Sequence, residues 1–171
     1  MTANAANKVE SAETGSSQIL TFTLGAETYG VDILRVQEIR GWAPVTRIPQ
    51  SPPHVLGVLN LRGSIVPIID LRMRFRLESA EYTPLTVIIV LSVESAAGRR
   101  DIGMVVDGVS DVINIDNNRI KPTPDLGGQV TTDFIRGLAS VSENMVMLLD
   151  VDRLVAGDVD ATTAMPAAAN S

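Results

Sequence analysis

The sequence predicts an all-β fold, a barrel or sandwich of many short strands. Three observations carry that prediction. Apolar and polar residues alternate with a period of two along much of the chain's middle, which gives a strand one buried and one wet face. Gly, Pro and Asp interrupt the alternation at short intervals, as turns between short strands do. Helical spacing is confined to a few brief stretches.

Residues 1–17 are small and polar without apolar periodicity, and read as a disordered tail. In 18–25, Leu20, Phe22 and Leu24 alternate with threonines. After Gly25-Ala26 the alternation resumes at Tyr29, Val31 and Ile33, so the two segments predict a hairpin. Val36 and Ile39, three apart, also admit a helical turn within 31–40, and 53–57 admits another. Residues 65–71 are mostly apolar but contain Pro67. Proline gives no ladder donor, so this strand is expected at an edge or bulged. Arg72, Arg74 and Arg76 alternate along one strand face, which suits a solvated edge or an anionic partner.

Residues 85–91 form a β-branched run expected to be buried on both faces. The polar stretch 92–101 reads as a lengthened surface hairpin loop. Strands follow at 104–106 and 109–115, broken at Asp107-Gly108, and at 137–141 and 145–151. Short helical turns are expected at 116–120 and 150–155. Residues 157–171 read as a second tail. No internal repeat is visible.

Composition narrows the function. With 45% hydrophobic residues, a body of about 18–156 can bury a sizeable core. There is no cysteine, which removes disulfides and thiolate metal sites. The net charge of -6 lacks the basic footprint of a nucleic-acid binder, and aromatics for stacking are few. The N-terminus lacks the basic leader and apolar segment of a secretion signal, and no apolar run spans a bilayer, so a cytoplasmic setting is expected. His54 is the only histidine, and nothing around it resembles a nucleophile elbow. A hydrolase would have to use it or a carboxylate pair that no motif supports. The Asp residues at 107, 111 and 116 lack calcium-loop spacing, and the glycine pairs lack a phosphate-loop pattern. The residues therefore point to a binding module, with no enzyme activity, cofactor or metal expected.

Four blocks, in order, resemble the CheW family. They are LTFTLGAETYGVDILRVQEIR at 20–40, LGVLNLRGSIVPIIDL at 56–71, VVDGVSDV at 105–112, and Arg136-Gly137-Leu138 with the hairpin to Leu149. The 92–101 stretch departs from the family's tight connection. The resemblance implies two intertwined five-stranded SH3-like barrels sharing a core. The first would cover about 32–83, and the second about 84–145 with the chain ends crossing back.

It also implies an adaptor in receptor arrays at the inner face of the membrane. Such a protein couples the cytoplasmic hairpin tip of methyl-accepting chemoreceptors to the regulatory domain of the histidine kinase CheA. Other CheW molecules in rings are further partners. Carried over residue by residue, the receptor set is Val36, Glu38, Ile39, Gly57, Val58, Arg62, Val106 and Val109, with Arg62 paired to Glu38. The kinase set is Asp32, Arg47, Ile48 and Ile65, with Leu126 in a second, ring-closing contact. A detached kinase-regulatory domain, or the adaptor half of a receiver fusion, is the alternative within the same fold.

Overall fold

The computed structural model describes residues 15–75, 77, 81–95, 98–123 and 134–155. In chain order the strands are β1 (Ser16–Leu24), β2 (Glu27–Asp32), β3 (Val36–Gly41), β4 (Val55–Leu61), β5 (Ser64–Asp70), β6 (Val87–Ser95), β7 (Gly98–Val106), β8 (Gly108–Asp116), β9 (Ile135–Val141) and β10 (Asn144–Leu149). One short helix, α1 (Leu71–Arg74), follows β5, and a helical turn at 151–155 follows β10. Tight 3-10 turns occupy Ile33–Arg35 and Asn117–Arg119.

The strands form two five-stranded sheets, ordered β8-β1-β2-β10-β9 and β3-β6-β7-β5-β4. The β2–β10 and β5–β7 pairings are parallel and the others antiparallel. Each sheet rolls towards closure through one bridge. Thr46, downstream of edge strand β3, pairs with Val58 of β4, and Lys121, downstream of β8, pairs with Leu138 of β9.

Both sheets have the same plan. Raising every strand number of β1–β5 by five gives β6–β10, and under that shift the two sheet orders coincide. The chain is thus a tandem repeat whose halves are exchanged. β1 and β2 of the first half complete the sheet of β8–β10, and β6 and β7 of the second complete the sheet of β3–β5. Residues 54–75 match 134–155 eighty positions on, where only Gly57/Gly137, Val66/Val146 and Asp70/Asp150 are identical. The expectation of no repeat is corrected: identity is too sparse to read in the sequence, and the duplication lives in the topology.

Both repeated glycines admit the bridging segment. A Cβ on Gly57 would lie 2.0 Å from the Thr46 carbonyl oxygen, and one on Gly137 2.8 Å from that of Lys121.

Core packing follows the period of two. On β6, Ile88 and Val90 face a small core inside their own sheet, while Ile89, Leu91 and Val93 face a core shared with Leu20, Phe22, Leu24 and Val31 of the other sheet. A third cluster, with Ile19, Ile115 and Leu148, fills the first sheet.

Several expectations change. The division at residue 83 does not follow the hydrogen bonding, because β6 and β7 pair with β3 and β5. Residues 31–40 form strand, a 3-10 helical turn at Ile33–Arg35 and strand; the turn is present, but Val36 and Ile39, whose spacing suggested it, lie on β3. Asp32 stops the first strand by accepting the Leu34 N–H at 2.9 Å. β5 is an interior strand: Pro67 pairs with Val58 on one side, and β7 joins on the other only from Ile68, where donors resume.

Leu71–Arg74 is a helix, because Asp70 accepts the Arg72 N–H at 3.0 Å and starts a turn. The 92–101 stretch is the expected hairpin, but its added length is paired strand up to Ser95–Gly98 and not loop. β1 begins at Ser16, inside the expected tail, because β8 is long enough to pair with it. Residues 1–14 and 156–171 lie outside the described residues.

The repeat also places Gly30 and Gly103 alike, each facing a parallel neighbour strand. A Cβ on Gly103 would meet Ile68 Cδ1 at 2.5 Å and Ile88 Cγ2 at 2.9 Å. Gly103→Ala is expected to cost about 1–3 kcal/mol by overpacking, measured by urea unfolding.

Candidate partner-binding site

A groove of 860 Å³ opens where the chain crosses from one sheet to the other. Its walls come from the β1–β2 turn, the segment before β6, and the β7–β8 crossing. Leu85, Val87 and Val109 supply apolar surface, and Thr23, Thr86 and Asp107 supply polar atoms.

Local chemistry fixes each wall. Thr83 and Thr86 close a small turn: the Thr86 N–H donates to the Thr83 carbonyl at 3.0 Å, and the Leu85 N–H donates to Thr83 Oγ1 at 3.1 Å. The turn holds Leu85 outward, 74% exposed. Asp107, the single residue between β7 and β8, accepts the Gly25 N–H at 2.7 Å through Oδ2 and an Arg72 N–H at 3.2 Å through Oδ1. Its own N–H donates to Thr23 at 3.1 Å.

Beneath the groove lies a buried ionic cluster. Arg72 is 1% exposed and Asp70 0%. Arg72 Nε and Nη2 donate to the two Asp70 oxygens, each at 3.0 Å, a bidentate fork. Arg72 Nη1 also donates to the Glu81 carbonyl. The Tyr82 hydroxyl donates to Asp70 at 3.2 Å, and its ring lies 4.9 Å from the Arg72 guanidinium carbon and 4.1 Å from the Trp42 ring. Burial works against the Arg72 charge, but Asp70 and then Asp107 outweigh it, so its pKa is raised. Burial and the Asp70 carboxylate raise that of Tyr82. Arg72 and Arg74 are therefore not on a solvated strand edge. Arg72 is internal, Arg74 packs over Phe134, and Arg76 lies outside the described residues.

A second ion pair joins the sheets at the other crossing. Arg35, on the turn between β2 and β3, donates to both Asp152 oxygens at 2.8 Å and to the Ser92 carbonyl at 3.1 Å. Asp152 also accepts the Glu94 N–H at 2.8 Å. Burial opposes the Asp152 charge, yet the bonds from Arg35 and Glu94 bring its pKa below the usual carboxylate value. The same bonding, with Asp152 foremost, raises the Arg35 pKa.

The residues singled out from the sequence fall into separate places. Val109 lines the groove, 37% exposed. Val36, Glu38 and Ile39 lie on edge strand β3, where Ile39 is 44% exposed. Arg62 sits at the β4–β5 turn with its Nη2 3.7 Å from Glu38, and its side chain is 84% exposed. A pair this open contributes at most about 1 kcal/mol to stability. Val58 is half-buried on β4. Gly57 lies under Thr46, so the backbone that approaches it is the chain's own. Val106 is wholly inside the shared core.

Of the other set, Asp32 caps the 3-10 turn and Ile65 is 58% exposed at the start of β5. Arg47 and Ile48 line a separate hollow of 350 Å³ beside Pro49 and Pro52. Leu126 lies outside the described residues. The sequence reading missed Leu85, which it placed in a buried run, and the contact of Arg72 with Asp107, which are 35 residues apart. It also missed Val87, for which an apolar strand run gives no signal of partial exposure.

Among the described residues, no group of three acidic or histidine side chains is placed to hold a metal. His54 joins the fold through its carbonyl, which accepts the Asp70 N–H at 2.8 Å. No described helix is long and apolar enough to cross a membrane.

Two rolled five-stranded β-sheets that exchange strands, with a groove at their crossing, define a β-barrel-like module. The CheW-like domain model matches residues 18–158, and the chain belongs to that family. It is 46% identical over 146 residues to the chemotaxis protein CheW of Klebsiella aerogenes, covering 85% of this chain and 86% of that one. It is 38% identical to the probable chemotaxis protein CheW of Rhizobium etli, covering 85% and 92%. The scaffolding protein TtCheW of Thermoanaerobacter tengcongensis superposes with a TM-score of 0.71 at 34% identity, covering 81% of this chain and 86% of that one.

The Arg35–Asp152 pair gives a pH prediction. A depressed carboxylate pKa contributes stability that is present above its unfolded value, about 3.9, and lost as pH falls through the lower folded value. The stability gap between the parent chain and Asp152→Asn is therefore expected to hold at neutral pH and close as pH drops below about 3.9. Urea titrations at each pH measure it, and a gap unchanged down the acid range contradicts it.

Proposed function

We propose that this chain is a two-sided chemotaxis adaptor that couples methyl-accepting receptors to the CheA histidine kinase. It acts by binding alone, without catalysis, in the cytoplasm beneath the membrane that holds the receptors. The observation that carries the reading is the groove at the sheet crossing. Its outward Leu85, half-exposed Val109 and stiff Val87 suit the apolar stripe of a helical hairpin, and β-branched walls lose little side-chain freedom on binding. Family membership and the names of the relatives support the chemotaxis setting.

On this reading the receptor tip lies in the groove and along β3, meeting Val109, Ile39, Val36 and the pair of half-buried Glu38 with exposed Arg62. Val58 borders that surface. Val106 and Gly57 act from inside, by setting the strand positions beneath it. The kinase regulatory domain meets the first-half surface of Asp32, Arg47, Ile48 and Ile65, with Leu126 in a further contact that joins copies in rings. Ile65 suits a protein contact because it is an apolar side chain held out at a hairpin.

Two charge insertions separate the faces. Val109→Glu is expected to weaken binding of a receptor hairpin fragment by at least about tenfold and leave kinase-domain binding within about twofold. Ile65→Glu is expected to do the reverse. Calorimetric titration of each variant with each partner measures both, alongside a thermal melt. If both variants lose both partners while folded, or neither loses either, the two-sided reading fails.

A further inference from the structure

The exchange of strands between halves creates a pairing surface inside the molecule. The first half, β1 to α1, contributes Arg72 on its helix and Arg35 on its β2–β3 turn. The second half, β6 to the helical turn at 151–155, contributes Asp152 on its helix and Asp107 at its β7–β8 crossing. Arg72 and Asp152 occupy one position of the repeat, eighty residues apart, each two residues beyond an aspartate, Asp70 or Asp150, that accepts a backbone N–H of its helical turn. Arg35 and Asp107 lie at corresponding crossings. Each helix residue pairs with the other half's crossing residue, Arg72 with Asp107 at 3.2 Å and Asp152 with Arg35 at 2.8 Å.

The two pairs have opposite polarity. Pairing of two first halves would set Arg72 against Arg35, and pairing of two second halves would set Asp152 against Asp107. Only first with second is charge-complementary at both crossings. Nothing in that complementarity depends on both halves belonging to one chain. Their covalent link is the stretch between α1 and β6, residues 75–86, which fully extended spans about 40 Å.

We propose that the surface by which one half receives the other also accepts the corresponding half of a second copy of this chain. The product is a reciprocally exchanged dimer, and the polarity of the two crossing pairs dictates which halves combine. Arg35–Asp152 and Arg72–Asp107 are thus specificity determinants for pairing between halves. This proposal is independent of the adaptor reading above.

Two full-length variants test it. Arg35→Asp places two acids at the half-exposed crossing within one chain, and Asp152→Arg places two bases there. Each is mismatched with itself. In an exchanged dimer of one with the other, Asp at 35 faces Arg at 152, and native Arg35 faces native Asp152. Both variants, one isotope-labelled, are unfolded together in urea, refolded at high concentration and weighed by native mass spectrometry.

The mixed dimer is expected to exceed each homodimer by at least about tenfold. The double variant Arg35→Asp/Asp152→Arg, matched within itself, is expected to dimerise no more than the native chain does. A single variant that folds only in the mixture supports the proposal equally. Absence of dimer in the mixture, or mixed and unmixed dimers in statistical proportion, overturns it.

Discussion

Burying a guanidinium costs several kcal/mol unless hydrogen-bonded carboxylates offset the loss of water. Arg72, almost fully enclosed, meets that condition through a fork to Asp70 and a further bond to Asp107. The three groups come from different places: the end of β5, the first turn of α1, and the single residue between β7 and β8. Asp107 in turn holds the β1–β2 turn through Gly25, and Arg72 holds the segment before β6 through Glu81. One buried charge thus ties both sheets to both walls of the groove. Removing either carboxylate would leave the cation underpaired in the interior and loosen the elements which that carboxylate holds.

The exchanged repeat explains why such ties are needed. Each sheet is completed by two strands from the other half, so the chain crosses between sheets at β2–β3 and again at β7–β8. Each crossing is clamped by an ion pair to the opposite half's helical turn. The clamps differ in depth: Arg72 is internal, whereas Arg35 and Asp152 are partly wet, with about a third of each side chain exposed. The deep clamp lies under the groove. For the adaptor role proposed above, that placement would hold the proposed docking surface stiff before a partner arrives, which lowers the entropy lost on binding.

Much of the fold was legible because local patterns and final packing agree. The apolar run of β6 is central and buried, and the Gly25-Ala26 turn joins β1 to β2. Local pattern failed where a distant partner decides. Alternating Arg72, Arg74 and Arg76 mimic a strand, but Asp70 starts a helix there and Asp107 draws Arg72 inward. Residues 92–101 are polar like a loop, yet they pair to Ser95–Gly98, with Glu94 bonded to Asp152. The repeat stayed hidden because equivalent core positions hold different aliphatic residues, as packing permits. Of the site, Val109 and the Glu38–Arg62 pair were reached through family resemblance. Leu85 was not, since a sequence cannot show that an apolar residue at the head of a strand points outward.

The central claim is that the groove's walls are coupled through the Arg72 cluster. Native-state hydrogen exchange on Asp107→Ala tests it most directly, because Arg72 keeps its fork to Asp70 in that variant. The account predicts that the Leu77 and Thr86 amides, which bond to Arg72 and Thr83 and not to residue 107, lose protection together with Gly25 by at least about tenfold, while β4 and β5 stay protected. Loss confined to Gly25, with Leu77 and Thr86 unchanged, would contradict it.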